Sequence, residues 1–562
     1  MRSVLISEVF KDTTLGIIKK HNIDTVVILK GRVPEVLYEN GVIVYNTTSI
    51  DREGSWTGWE LAGSDIEKAG RLNKKFIYDD GMDYSRALVK ELWWGSYNTK
   101  GKLERYIKHF NENGIIVYVQ ADQTISSDLK VKKQFKSDDR YYGWGIRIVL
   151  KIIRSYFSKL ETRRRKSNVQ KVHYDVLFHP RGYPFIKNVL SYFEKKNILA
   201  GFGVEDTVNE VQYLGNIIKE EIPYVFVQHS LYGILKTLIK IVPILVTEAG
   251  KLKRTIGERE AAMIMYHWAK LVLNVRQYKL LFKSVKPSSI LTVAKENNGR
   301  TDLLIQVARK NGAAVVNSMN GLKQGLPKEK DTQFDAWCVW SRQQKKMLVE
   351  KIGTSPSQLY ITGHLQSDMA NGYSYNGTID EILARSEGKK RIACFTQPQE
   401  LSGPYRRKFL ETVLCYLETR RDVVIFLKPH GREKNDDLSF YRSLESDRFF
   451  LIEDDRKNRK NILYDVIDNV DLTTVIYSTV AMEALFFKKP VISVNYTGIP
   501  GVLPLIDNNW VYEASNQNEF NSIADGLLDR KILPMGYPVT VGPVNGEAAY
   551  RTYRIIKKLS RT

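Results

Sequence analysis

Between residues 391 and 495, five short apolar runs alternate with stretches of helical period, and no other feature limits the possible folds of this chain as much. The runs are RIACF (391–395), VVIFL (423–427), residues 449–452, LTTVI (472–476) and PVISVN (490–495). Each is short enough to be a strand and is separated from the next by a polar turn and a helix-like stretch. Strands joined through helices pair in parallel, with the helices on both faces of the sheet. Ligands bind such sheets beyond the carboxyl ends of the strands. Residues 371–562 are therefore expected to form a Rossmann-like domain with its chemistry in the loops at that edge.

A similar rhythm runs upstream. Residues 2–6 (RSVLI), 25–30 (TVVILK) and 115–119 (IIVYV) predict strands of an N-terminal α/β region over 1–120. From YDVLF (174–178) onward a second α/β run begins. Segments 201–233 and 290–322 share one layout: an acidic loop, a helix, an apolar strand and a polar, glycine-bearing turn. DAWCVW (335–340) and LYITG (359–363) add strands, and 251–284 reads as a long helical stretch of basic character. The polar, glycine-bearing stretch 370–390 reads as the main linker. The expected division is 1–120, a basic insertion over 121–170, an acceptor-side Rossmann-like domain over 171–370 and the domain over 371–562. A chain of 562 residues is long enough for two or three cores.

The net charge of +22 calls for an anionic partner. Residues 147–166 concentrate it: Arg147, Lys151, Arg154, Lys159, Arg163, Arg164, Arg165 and Lys166 stand against Glu161 alone. Ile146, Val149, Leu150, Ile153, Tyr156, Phe157 and Leu160 recur there at helical spacing. A basic amphipathic helix of this kind suits an anionic membrane surface. A membrane span is not expected, because the most apolar stretch, 231–248, contains Lys236, Lys240 and Pro243. Glu8 and Lys11 interrupt the N-terminus before a signal-peptide core forms. Cys338, Cys394 and Cys415 show no metal-ligand spacing and read as small buried hydrophobes of a reducing compartment. These features predict a cytoplasmic protein, peripheral on the inner face of the plasma membrane, with no metal or cofactor. No nucleic-acid-binding module is recognisable.

Three loops of the C-terminal run carry candidate chemistry. Ser478 and Thr479 stand between a strand and a helix, where hydroxyls, backbone N–H groups and the helix dipole suit a phosphate. Glu483, one turn on, can accept the hydroxyls of a ribose. Lys428, His430 and Arg432 follow an apolar strand and are natural phosphate contacts. Thr396 and Gln397 end the first strand of this half and are expected to face the same edge.

These residues resemble a known group. VVIFLKPHGRE is similar to the Lys-Pro-His-Pro strand-loop of GT-B glycosyltransferases that build surface carbohydrates, among them capsule-polysaccharide transferases, bacterial sialyltransferases and CDP-glycerol polymerases. VDLTTVIYSTVAMEALFFKKPVISVNYTG resembles their Ser-Ser/Thr element, and LYITGHLQSDM the segment that closes their N-terminal domain. The resemblance covers about residues 285–562. It implies a GT-B fold, two Rossmann-like domains facing a cleft, here with an N-terminal α/β extension and a basic helical insertion. It implies that His430, Ser478 and Thr479 hold a CMP-, UDP- or CDP-linked donor. Gly431 stands where the family usually has Pro, which leaves the nucleotide open.

In an inverting transferase, a carboxylate or imidazole from the N-terminal domain would activate a glycan or lipid-linked acceptor. Glu296, Asp80 and Glu205 are the candidates, each in an acidic loop similar to one of the group's motifs. The turn at Ser318-Met319-Asn320-Gly321 lacks the family's usual His. The expected function is transfer of a sugar from a nucleotide-sugar donor to a surface glycan. The alternatives are a UDP-GlcNAc 2-epimerase-like enzyme, a CDP-glycerol-type polyol phosphate transferase and, outside enzymes, a basic nucleic-acid-binding protein.

Overall fold

The structure is a computed structural model and describes residues 3–9, 12–30, 43–44, 48–76, 78–79, 82–92, 97–113, 115–120, 129–135, 169, 172–179, 183–202, 215, 217–226, 231–293, 299–318, 334–397, 405–431, 433, 435–453, 462–476, 478–496, 511–532 and 545–560. Its strands build three parallel sheets and one small hairpin.

The N-terminal sheet contains β1 (Ser3–Val9), β2 (Thr25–Lys30) and β3 (Ile43–Val44). A separate antiparallel hairpin of β4 (Tyr78–Asp79) and β5 (Met82–Asp83) follows in the chain. The first sheet then resumes with β6 (Ile116–Gln120) and β7 (Lys133–Phe135), giving the order β3-β2-β1-β6-β7. The seven-stranded sheet contains β8 (His173–Phe178), β9 (Ile198–Phe202), β10 (Tyr224–Phe226), β11 (Lys286–Val293), β12 (Ala314–Ser318), β13 (Ala336–Val339) and β14 (Leu359–Ile361), ordered β10-β9-β8-β11-β12-β13-β14. The six-stranded sheet contains β15 (Lys390–Phe395), β16 (Val423–Lys428), β17 (Phe449–Leu451), β18 (Leu472–Val475), β19 (Val491–Val494) and β20 (Val511–Ala514), ordered β17-β16-β15-β18-β19-β20.

Counted from its own first strand, each sheet runs 3-2-1-4-5, extended by further strands in the two larger ones. This is the doubly wound Rossmann order, with a switch point between strands one and four. The α/β class with two Rossmann-like sheets is thus present, and the N-terminal extension repeats the same winding on a smaller scale.

The chain divides into two compact units. One comprises residues 1–51, 106–136 and 366–548; the other comprises 52–105, 137–365 and 549–562. In the first unit, all six residues of β16 are buried, as expected of a strand covered on both faces. Ile392 and Cys394 of β15 pack with Phe409, Val413 and Tyr416 of the Tyr405–Thr419 helix and with Phe520 and Ala524 of the Gln517–Leu528 helix. The second of these helices starts on a reciprocal cap: Asn516 Oδ1 accepts from Glu519 N at 3.0 Å, and Glu519 Oε2 accepts from Ser515 N at 2.7 Å. The chain reverses its winding between β17 and β18, so the Ile462–Asp468 helix crosses the opposite face of the sheet.

Residues 52–105 are tied into the second unit by polar contacts, one of them buried. Lys90 of the Ser85–Leu92 helix meets Asp302 of the Gly299–Lys310 helix at 2.8 Å, with both side chains almost wholly buried. Asp83 N donates to Gln306 Oε1 at 3.0 Å, and Gln306 Nε2 donates back to Asp83 O at 2.8 Å. The Ala548–Leu559 helix ends in this unit. Arg551 Nε donates to Thr362 O at 2.7 Å, and Lys557 pairs with Asp175 at 3.1 Å.

Several expectations are corrected in detail. The stretch 251–284 is helical as expected, formed by the end of Leu231–Ile256 and by Glu258–Ser284, which break at Gly257, whose φ of 94° suits glycine. The 370–390 stretch is not a plain linker, since it contains the Asp380–Arg385 helix and the end of Leu365–Asn371. Cys338 and Cys394 are buried as expected, whereas Cys415 is exposed. No helix among the described residues is long and apolar enough to cross a membrane. The basic stretch 147–166 lies outside the described residues.

Candidate functional site

β15 lies between β16 and β18 at the switch point, and the three strands end level with one another. Phe395 pairs with Lys428 on one side and with Val475 on the other. The chain therefore leaves the sheet at Thr396, Pro429 and Ile476 from adjacent positions, with the outer two about 10 Å apart, twice the spacing between neighbouring strands. The loops bearing Thr396, Gln397, Lys428, His430, Ser478 and Thr479 share this polar edge.

A residue passed over in the sequence binds two of these loops together. Glu433 is buried, and its Oε1 accepts from Thr396 Oγ1 at 2.5 Å and from His430 N at 2.8 Å. Its Oε2 accepts from the Tyr441 hydroxyl at 2.5 Å and lies 3.5 Å from Arg406 Nη1. Glu433 N also donates to His430 O at 2.9 Å, so the turn through exposed Gly431 is closed by backbone and side chain together. The only local signal for this role is its position three residues after His430. Its donors at 396, 406 and 441 are remote in sequence.

Within that frame the candidates differ. Lys428 is buried and donates from Nζ to its neighbour's carbonyl, Pro429 O, at 3.1 Å. His430 is half-buried. Thr396 and Gln397 are buried. Ser478 is buried, and its Oγ accepts from Val480 N at 3.3 Å. Thr479 is exposed, occupies the N-cap position and makes no side-chain cap. The Val480–Phe486 helix has seven residues, so its dipole is small and the hydroxyls become the main attraction for an anion. Arg432 lies outside the described residues.

Glu483 follows in that helix. Burial pushes its carboxyl up to about 7, with a hydrogen bond from Tyr464 pulling the other way. Beside Tyr464, Asp465 is fully buried and accepts from Asn376 N at 3.0 Å and Thr378 N at 3.1 Å. It also accepts from the hydroxyls of Tyr373 and Thr378. Burial opposes the charge on Asp465, but these donors together hold its carboxyl below the usual range. Segment 373–378 is thereby fastened to the Ile462–Asp468 helix.

The three candidate bases, Glu296, Asp80 and Glu205, lie outside the described residues. The hairpin strands flanking Asp80 are described, and Asp83 of β5 is tied to Gln306 as above. No group of His, Cys, Asp and Glu able to hold a metal ion occurs among the described residues.

No protein-family model matches the chain, and no curated protein sequence matches it. Solved structures do. The chain is similar to an S. aureus MnaA–UDP co-structure at 14% identity, covering 68% of this chain and 94% of that one with a TM-score of 0.45. It is similar to UDP-GlcNAc 2-epimerase from Neisseria meningitidis bound to UDP-GlcNAc at 12% identity, covering 70% and 100% with a TM-score of 0.45. It is also similar to the wall teichoic acid polymerase TagF soaked with CDPG at 14% identity, covering 76% and 98% with a TM-score of 0.40. Likeness at this level concerns the fold and assigns no activity.

Proposed function

We propose that this chain is a GT-B-type glycosyltransferase whose nucleotide-sugar donor binds at the carboxyl edge of the six-stranded sheet. One observation carries the reading: three polar loops leave the switch point at the same level, and two of them are braced by buried Glu433. His430, Ser478 and Thr479 contact the donor phosphates there, with Arg432 and Lys428 adding positive charge and Thr396 and Gln397 lining the floor. Glu483 takes the ribose. The acceptor oxygen attacks the anomeric carbon, a base among Glu296, Asp80 and Glu205 takes its proton, and the nucleotide leaves as a phosphate anion. The basic stretch 147–166 holds the enzyme at an anionic membrane surface beside a lipid-borne acceptor.

A thermal-shift screen of CMP, UDP, GDP and CDP tests the reading. A nucleotide at a hundred times its dissociation constant stabilises the protein by about 2.7 kcal/mol. One nucleotide is expected to raise the melting temperature of the wild type, and Ser478→Ala or His430→Ala to abolish the rise. Equal shifts in all three proteins would remove the site from this edge. Conversion of UDP-GlcNAc to its 2-epimer without an acceptor would replace transfer by epimerisation.

A further inference from the structure

The outward face of the Leu231–Ile256 helix has no part in the chemistry above. The helix packs inward through Leu238, Ile241, Leu245 and Leu252, all buried. On that side Thr237 Oγ1 also accepts from Arg276 Nη1 of the Glu258–Ser284 helix at 2.9 Å. The helical repeat then turns Ile239, Pro243 and Val246 outward, with Lys236, Lys240 and Arg254 beside them, and all six are exposed. Ile239 is 74% exposed and Val246 64%, the highest values of any large hydrophobic among the described residues. The helix contains one acid, Glu248, which is buried and lies 3.4 Å from Lys251.

These residues form two stripes. At 100° per residue the three apolar side chains fall within about 60° of arc, and the three cations take about the next 40°. From Lys236 to Arg254 the face runs about 27 Å, with cations towards both ends and the apolar residues between them. An anionic lipid surface satisfies both stripes at once. Ammonium and guanidinium groups meet headgroup phosphates, while the aliphatic side chains enter the boundary with the acyl chains. A second copy of the chain fits poorly, because a two-fold contact sets the cations of one helix against those of the other. The helix is not apolar enough to cross a bilayer, so the geometry suits one lying flat in its surface.

We propose that the Leu231–Ile256 helix is a membrane-docking element that lies in an anionic lipid surface through Ile239, Pro243 and Val246, flanked by Lys236, Lys240 and Arg254. It stands apart from the nucleotide site. It adds a second anchor to the membrane association proposed for stretch 147–166, and two weak anchors on one chain hold far better than either alone.

The test is co-sedimentation of the full chain with vesicles of phosphatidylglycerol and phosphatidylcholine in equal parts, and with phosphatidylcholine alone. The wild type is expected to bind the anionic vesicles, far more weakly the neutral ones, and less as salt rises. Lys236→Gln with Lys240→Gln is expected to weaken binding to anionic vesicles about twentyfold, at about fivefold per cation. Ile239→Ser with Val246→Ser is expected to weaken it about tenfold or more, a loss that persists at high salt because apolar burial is not screened. All four side chains are exposed, so both double variants should melt with the wild type. Wild-type affinity in either variant would overturn the inference and leave any lipid binding to stretch 147–166. Equal binding of the wild type to both kinds of vesicle, or to neither, would overturn it too. Self-association abolished by Ile239→Ser with Val246→Ser would give the face to a second copy instead. The nucleotide-dependent melting shift is expected in every variant, so failure of the donor-site reading is read separately from failure of this one.

Discussion

The loop after β16 and the helix after β18 each carry a glutamate at the same edge of one sheet, and the two side chains meet opposite surroundings. Glu433 faces donors from four places: the Thr396 hydroxyl, the His430 amide, the Tyr441 hydroxyl and the Arg406 guanidinium. Among the described residues, Tyr464 alone acts as a hydrogen-bond partner on the Glu483 carboxyl, and burial outweighs it. A buried carboxylate with many donors is a structural brace, because each donor would be stranded without it. One with a single donor holds its proton into the neutral range and is available to a ligand. The difference teaches that burial alone does not set the role of an acid at this edge; the number of fixed donors does.

The largest effect that would break this contrast belongs to Glu433→Ala. It removes the acceptor for two buried hydroxyls and the anion beside Arg406, and should cost about 3 kcal/mol or more in urea denaturation. A loss below about 1 kcal/mol would deny Glu433 the bracing role. Asp465→Ala comes next, at about 2–3 kcal/mol, since the donors from 373–378 lose a charged acceptor. Hydrogen exchange should show those amides losing protection while the core of β16 keeps it. Ser478→Ala removes only the bond to Val480 N and should cost about 1 kcal/mol by the same denaturation measurement.

The smallest effect concerns Glu483→Gln and sharpens the contrast through pH. The folded carboxyl titrates near 7 and the unfolded one near 4.5, so the folded state holds more protons in between. This group's contribution to stability is fully present below pH 4.5 and is lost as pH rises through 7. Glu483→Gln should flatten that part of the stability curve in melts across pH 4 to 8. Asp465 has the opposite sign: its lowered carboxyl contributes above its ordinary range and is lost on acidification. An unchanged slope in Glu483→Gln would mean that other groups govern this window.

Much of this arrangement is legible in the amino-acid order alone. The runs at 423–427 and 472–476 became β16 and β18 to within a residue, and the polar turns after them lie at the carboxyl edge where a parallel sheet puts them. Glu433 was visible only as one more acid after a basic loop. Asp465 and Tyr464 resembled ordinary helix residues, since their partners lie 87 to 92 residues away for Asp465 and in a separate helix for Tyr464. The doubly wound order of the N-terminal sheet and the pairing of Lys90 with Asp302 left no local trace either.

What the amino-acid order settles here is the alternation of strand and helix, and with it parallel sheets whose loops gather at one edge, because side-chain period and burial are properties of neighbours along the chain. Which acids are braced and which stay poised, and which unit residues 52–105 join, were decided only on folding. Those outcomes depend on donors and apolar surfaces brought together from distant parts of the chain, and no local pattern records them.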